Sequence, residues 1–303
     1  MSKQQRESID QMLRDAPFDL GGDVLVQRPL LEQMLTGHPL AQDVHTTQGE
    51  LGGVPVIFIK IADTEPTGVI FHLHGGGFAL GSATSSVGFV SDLARKAGMS
   101  AITVDYRLAP EHPYPAAIQD VTTAYEALLE RQTAGAQIVV SGESSGGNLA
   151  LELLIAGKQH GLMMPAAVVL FSPMTDLTVT GASYTTKADV DPNITRAAIQ
   201  TRANDYLKDT GTSPADPLVS PIFADLTGLP PLLIQAGAHE VLLDDATRLA
   251  ARAAANDVAV ILDITPEVAH VFQAFSAVLD EGDQALTRAG TFLQMHVQAP
   301  IMT

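Results

Sequence analysis

An α/β fold on a mostly parallel sheet is what this sequence predicts, and three observations predict it. Short runs rich in Val, Ile, Leu and Phe alternate with helix-like stretches from about residue 54 onward. Most of those runs are continuously apolar and do not alternate with polar residues, which marks strands covered on both faces. The stretches between them carry apolar residues at three- and four-residue spacing, so strand–helix units repeat along the chain.

Taken in order, residues 1–42 hold helix-like pieces at 9–13 and 30–35 before any sheet begins. A weak strand at 44–51 precedes stronger ones at 54–61 and 69–73. A helix over 86–97 leads to a strand at 101–105, and a helix over 115–131 to a strand at 137–141. A glycine turn then opens a helix over 145–159, followed by a strand at 166–171. Residues 176–216 interrupt the rhythm with Thr, Asp and one helix at 195–208; insertions of this length in a compact domain are usually functional, as lids are. The alternation resumes with a strand at 232–236, a helix at 244–255, a strand at 258–264 and helices at 270–279 and 283–295.

Composition narrows the chemistry. The chain has 303 residues, 46% hydrophobic and 17% charged, which is a globular balance with ample length for a core. With no cysteine, disulfides, thiolate metal sites and a thiol nucleophile are excluded, leaving Ser, Thr, Lys or a carboxylate for covalent work. A formal charge of −17, shared almost equally by the two halves, argues against nucleic acid as a partner. The longest stretch free of Asp, Glu, Lys and Arg, 66–91, is punctuated by glycines, histidines, serines and a proline and makes a poor lipid-facing helix. The first 17 residues carry charges of both signs with no apolar run behind them, unlike a signal peptide. No membrane association and a cytoplasmic location are the expectations.

Two glycine patterns carry the chemistry. Gly142-Glu143-Ser144-Ser145-Gly146 lies between a strand and a helix. A nucleophile on a sharp turn needs neighbours without side chains two residues either side, so that strand and helix can approach. The turn exposes the Ser144 hydroxyl and places the Ser145 N–H beside it at a helix N-terminus, where it can stabilise an oxyanion. His74-Gly75-Gly76-Gly77-Phe78 follows directly on a strand. Three glycines let backbone N–H groups point into a cavity, which a developing alkoxide requires. A phosphate-cradling loop fits poorly, because no Gly-Lys-Ser/Thr follows. His74 reads as a structural hydrogen-bonding residue.

A serine nucleophile needs a base and an orienting acid, and in the α/β-hydrolase arrangement they follow in the order Ser, acid, His after later strands. His270, after the strand at 258–264, is the candidate base. Glu240, Asp244 and Asp245 compete as the acid; Glu240 lies closest to its strand end, and the two aspartates suit a helix N-terminus. Glu143 is expected to point away on the turn. His239 adjoins the acid, and His38, His45, His112, His160 and His296 sit in no comparable context.

With these residues in place, the chain resembles the hormone-sensitive-lipase family of bacterial esterases from about residue 44 to its end. The resemblance rests on His74–Phe78, on Asp105-Tyr106-Arg107-Leu108-Ala109-Pro110-Glu111-His112-Pro113, on Gly142–Gly147 followed by Asn148-Leu149-Ala150, on Ser172-Pro173-Met174-Thr175-Asp176-Leu177, and on His270-Val271-Phe272. Glu143 and Ser145 stand where Asp and Ala are commonest in that family. The resemblance implies an α/β-hydrolase fold with an eight-stranded sheet flanked by helices. It divides the chain into a catalytic domain (43–175 and 217–303) and a helical cap (1–42 and 176–216). It implies Ser144 as nucleophile, Glu240 as acid and His270 as base, with an oxyanion hole drawn from Gly75, Gly76, Gly77 and Ser145. Phe18, Phe78, Leu80 and Tyr184 are expected at the pocket wall. The expected activity is hydrolysis of short- to medium-chain carboxylic esters through an acyl-enzyme, with neither metal nor organic cofactor, and a homodimer is compatible with it. Lactone or amide hydrolysis uses the same groups and stays open. A non-catalytic receptor on the same scaffold is disfavoured by the retained His270, since receptor relatives have lost it.

Overall fold

The computed structural model describes residues 2–37, 40–131 and 137–297. Its strands are β1 (Val44–Leu51), β2 (Val54–Ile61), β3 (Val69–Leu73), β4 (Ser100–Val104), β5 (Ile138–Glu143), β6 (Val168–Phe171), β7 (Leu232–Gly237) and β8 (Val260–Thr265). They form one sheet in the order β1-β2-β4-β3-β5-β6-β7-β8. β1 and β2 make an antiparallel hairpin across Gly52-Gly53, both at positive φ, as a two-residue turn requires. β2 also runs antiparallel to β4, and every pairing from β4 to β8 is parallel.

Helices α3 (Val87–Ala97) and α9 (Asp280–His296) cover one face, packing Val90, Leu93, Ala94, Leu286 and Phe292 against Ile70, Val139 and Val169. Helices α4 (Ala116–Arg131), α5 (Ser145–His160) and α8 (Leu243–Ala255) cover the other, where Val121, Tyr125, Leu149, Leu153, Ala246 and Leu249 meet Phe71, Val140, Val168 and Ile234. Neighbouring residues of β3 and β5 therefore serve opposite cores, which is why Val69–Phe71 and Ile138–Val140 read as continuous apolar runs. The edge strands differ: most of β1 and much of β8 is exposed, so these two do not share the two-sided burial.

The segments outside this pattern hold α1 (Ser2–Asp15) and α2 (Val24–Thr36) at the start, and α6 (Ser183–Thr186) and α7 (Arg196–Tyr206) in the insertion. They meet: Arg14 Nη2 reaches the Val190 carbonyl at 3.3 Å, and Arg202 Nη2 reaches that of Gly22 at 3.1 Å. The helix expected over 270–279 does not form. A single 3-10 turn, Phe272–Phe275, stands there, and Val271, inside the expected span, sits in the left-handed region at φ 50°, so no right-handed helix runs through it. His38 lies outside the described residues.

The chain steps from β3 outward to β4 and then back across β3 to β5, so loops leaving β3 and β5 diverge at their carboxyl ends. Open α/β sheets place ligands in that crevice. Leu73 pairs with Gly142, which sets His74–Phe78 beside Glu143–Ser145.

Candidate active site

Ser144 occupies the turn between β5 and α5 at φ 54°, ψ −120°, a strained conformation for a residue with a Cβ. Strain of this kind costs about 1–3 kcal/mol and is held in place by its surroundings. Here the surroundings are hydrogen bonds: Ser144 N–H donates to the Phe171 carbonyl at 2.9 Å, and its carbonyl accepts from Met174 at 3.0 Å. The flanking glycines have the reason expected of them. A Cβ on Gly146 would strike the Leu73 and His74 carbonyls, and one on Gly142 the Gly146 backbone.

The glycine loop after β3 lies against this turn, so closely that a Cβ added at Gly75 would stand 3.2 Å from that of Ser144. Gly76 and Gly77 adopt φ 109° and 63°. The Gly75 N–H corrects one expectation: it donates to Glu143 Oε1 at 2.7 Å and is therefore committed. Among the described residues, the Gly76 and Gly77 N–H groups donate to no protein acceptor. Glu143 does not point away; it turns back over the loop, its Oε2 2.7 Å from His72 Nε2, though off the hydrogen-bonding axis. His72 in turn reaches Ser141 Oγ at 2.8 Å across the β3–β5 pair. His74 is buried, stacked on Tyr106 at 4.1 Å, and burial holds its imidazole below the usual histidine range, so it is neutral and structural.

On the far side, His270 Nδ1 meets Glu240 Oε2 at 2.6 Å, and the other Glu240 oxygen accepts the Gly237 N–H at 2.9 Å. The His270 loop is tied to the strand beside Ser144, because Val271 N–H donates to Ser172 Oγ at 3.1 Å. Ser172, also at positive φ, follows β6, the neighbour of β5. Burial pulls the His270 imidazole down, but the hydrogen bond and charge of Glu240 outweigh it and leave the group above the usual histidine value. The competing aspartates are engaged elsewhere. Asp245 Oδ2 accepts from Thr175 and Asp176 at 2.6 and 2.9 Å, and Asp244 from Ser183 at 3.0 Å.

Among the residues expected at a pocket wall, Phe78 and Leu80 are fully buried and Tyr184 nearly so. Phe78 stacks on Tyr206 at 3.9 Å, and Tyr184 packs on Gly181 beside Asp245. All three are core residues here; Phe18, partly buried, is the one that retains surface. Two residues of the insertion join the site without any sign in the sequence. Asp191 Oδ2 accepts the Val241 N–H at 2.8 Å and so braces the Glu240 loop. Arg202, from α7, lays its buried stem over Gly77, where a Cβ would collide with it, and pairs with Asp205 at 2.9 Å. Their distance along the chain from the glycine loops is what conceals them. Among the described residues, no His, Asp and Glu cluster is arranged to hold a metal ion, and no helix is long and apolar enough to cross a membrane.

Residues 70–274 match the family model described as alpha/beta hydrolase fold. An esterase of Acinetobacter venetianus is 41% identical over 265 residues, covering 88% of this chain and 87% of that protein. An acetyl-hydrolase of Streptomyces hygroscopicus is 41% identical over 225 residues, 74% of this chain and 75% of that one. The crystal structure of an esterase from the bacterial hormone-sensitive lipase family superposes with a TM-score of 0.93 at 38% identity, over 97% of this chain and 99% of that one. The protein EstE5, solved after soaking with p-nitrophenyl butyrate, gives 0.91 at 36% identity, over 96% of this chain and 98% of that one. The chain belongs to the α/β-hydrolase family, in its bacterial hormone-sensitive-lipase branch, and is a carboxylesterase.

Proposed function

We propose that the enzyme hydrolyses short- to medium-chain carboxylic esters by a Ser144–His270–Glu240 triad through an acyl-enzyme. The observation that carries this reading is the 2.6 Å contact of Glu240 with His270, on a loop fastened through Ser172 to the strand beside the strained Ser144 turn. His270 Nε2 takes the proton as Ser144 Oγ attacks the ester carbonyl, and Glu240 holds the tautomer and stabilises the imidazolium. The carbonyl oxygen, now an alkoxide, accepts from the N–H groups of Gly76, Gly77 and Ser145. Collapse expels the alcohol, which leaves with the proton from His270. Water, deprotonated by His270, then adds to the acyl-enzyme, and the acid is released as Ser144 recovers its proton.

The helical segments at 1–42 and 176–216 act as the cap over this site. Their mutual contacts and the Arg202 stem on Gly77 support that role. A short acyl group is supported by the name of the Streptomyces relative and by the butyrate ester used on EstE5. A p-nitrophenyl ester series from acetate to decanoate tests the reading. Turnover should peak at short to medium chains, and Ser144→Ala should abolish it, retaining less than roughly one part in a thousand. A maximum at the longest chain would move the substrate class; substantial turnover by Ser144→Ala would remove the nucleophile.

A further inference from the structure

Three successive glycines give the loop Gly75–Gly77 no side chains with which to pack on α5, so hydrogen bonds must set its distance from that helix. One end is fastened by Gly75 N–H to Glu143 Oε1 at 2.7 Å. The other end is fastened by Phe78 N–H, which donates to Ser145 Oγ at 3.1 Å. Both Phe78 and Ser145 are fully buried, so this bond has no water to replace it. Phe78 is held at φ 63°, a conformation that an aromatic residue adopts only under constraint. The hydroxyl has a second neighbour in Tyr106. Tyr106 Oη gives its own proton to the His74 carbonyl at 2.7 Å, which ties down the residue that opens the glycine loop. The two residues flanking Ser144 each hold one end of the arc.

We propose that the Ser145 side chain, separately from its backbone N–H, is a positioning residue for ester hydrolysis: its Oγ sets the spacing between the Gly76 and Gly77 donors and the donor on α5. This rests on the assignment of Ser144 as nucleophile. Donors stabilise an oxyanion only when they converge within about 2.7–3.1 Å of where it forms. A neutral ester carbonyl is a weaker acceptor than the alkoxide, so a loosened arc costs the transition state more than the bound substrate.

Ser145→Ala removes the Oγ and keeps the backbone N–H. With p-nitrophenyl butyrate, kcat should fall on the order of tenfold to a hundredfold with KM within about threefold, a part of the loss seen when a whole donor is removed. Phenylboronic acid, which adds to a serine Oγ as a tetrahedral anion, should bind more weakly by the factor lost in kcat/KM. Should Ser145→Ala fail to fold, Ser145→Cys keeps the bulk with a weak acceptor and must give the same split. A kcat within about twofold of the parent, or unchanged boronate affinity, would overturn the proposal. Ser144→Ala, assayed alongside, separates the two levels. If it is inactive while Ser145→Ala is normal, only the positioning role is lost; if it is active, the assignment beneath it fails.

Discussion

The loops that end β3 and β5 and the helical segments at 1–42 and 176–216 converge on one site, yet they are held by different forces. The loops are fixed by backbone geometry. The strand pair Leu73–Gly142 sets their spacing, and glycines at 76, 77, 142 and 146 leave room that any Cβ would fill. The helical segments are fixed by long side chains crossing between distant parts of the chain, such as Arg28 to the Ala79 carbonyl at 2.8 Å and Arg202 over Gly77. Backbone-determined parts admit almost no substitution, whereas side-chain-determined parts can vary without disturbing the glycine turns they cross.

The sharpest way to press on that contrast is at Glu240, on the backbone-anchored side. Glu240→Gln should lower kcat about 10²–10⁴-fold while leaving the hydrogen-bonded geometry nearly isosteric. It should also move the acid limb of kcat/KM. His270 must be neutral to act as base, and Glu240 is the largest influence raising it against burial; without that carboxylate, burial is opposed only by the smaller contributions of Asp191 and Glu143, and the limb shifts to lower pH. An acid limb that stays where it was, or moves upward, would show that Glu240 is not the partner His270 titrates against.

A smaller effect is expected at Arg202. Arg202→Ala strips the stem from Gly77 and should cost on the order of tenfold in kcat/KM, since misplacing a reacting group by a fraction of an ångström is already felt. Arg202→Met, which keeps the stem and loses the guanidinium, should cost less than about threefold. Equal losses in the two variants would mean that the charge, and not the stem, is what matters. The smallest effect belongs to Asp244, whose carboxylate holds the start of α6 at Ser183. Asp244→Asn should leave kcat within about twofold, and a loss matching that of Glu240→Gln would return Asp244 to contention as the acid.

The same contrast governs what the residues alone disclose. The turn at Ser144 and the loop at Gly75–Gly77 are legible because close backbone approach demands glycine at fixed offsets and tolerates almost nothing else there. That Glu240, and neither aspartate, meets His270 is foreshadowed by its nearness to a strand end. Glu143 is not, because its return to Gly75 depends on the register of β3 against β5, which no local pattern encodes. Phe78, Leu80 and Tyr184 mislead for a different reason: an apolar side chain lining a cavity and one packed in a core look alike in sequence. Asp191 and Arg202 leave no signal, since each acts on a partner far along the chain. The absence of a helix after His270 is hidden in the backbone of Val271, whose β-branched side chain gives no hint of positive φ.

Covalent trapping tests the central assignment most directly. The enzyme treated with diethyl p-nitrophenyl phosphate should release p-nitrophenol once per chain and carry the phosphoryl group on Ser144 alone, as read by peptide mass mapping. Glu240→Gln should label more slowly at the same residue, and Ser144→Ala should not label. Phosphorylation of another serine, or stoichiometric labelling of Ser144→Ala, would contradict the assignment of Ser144 as nucleophile.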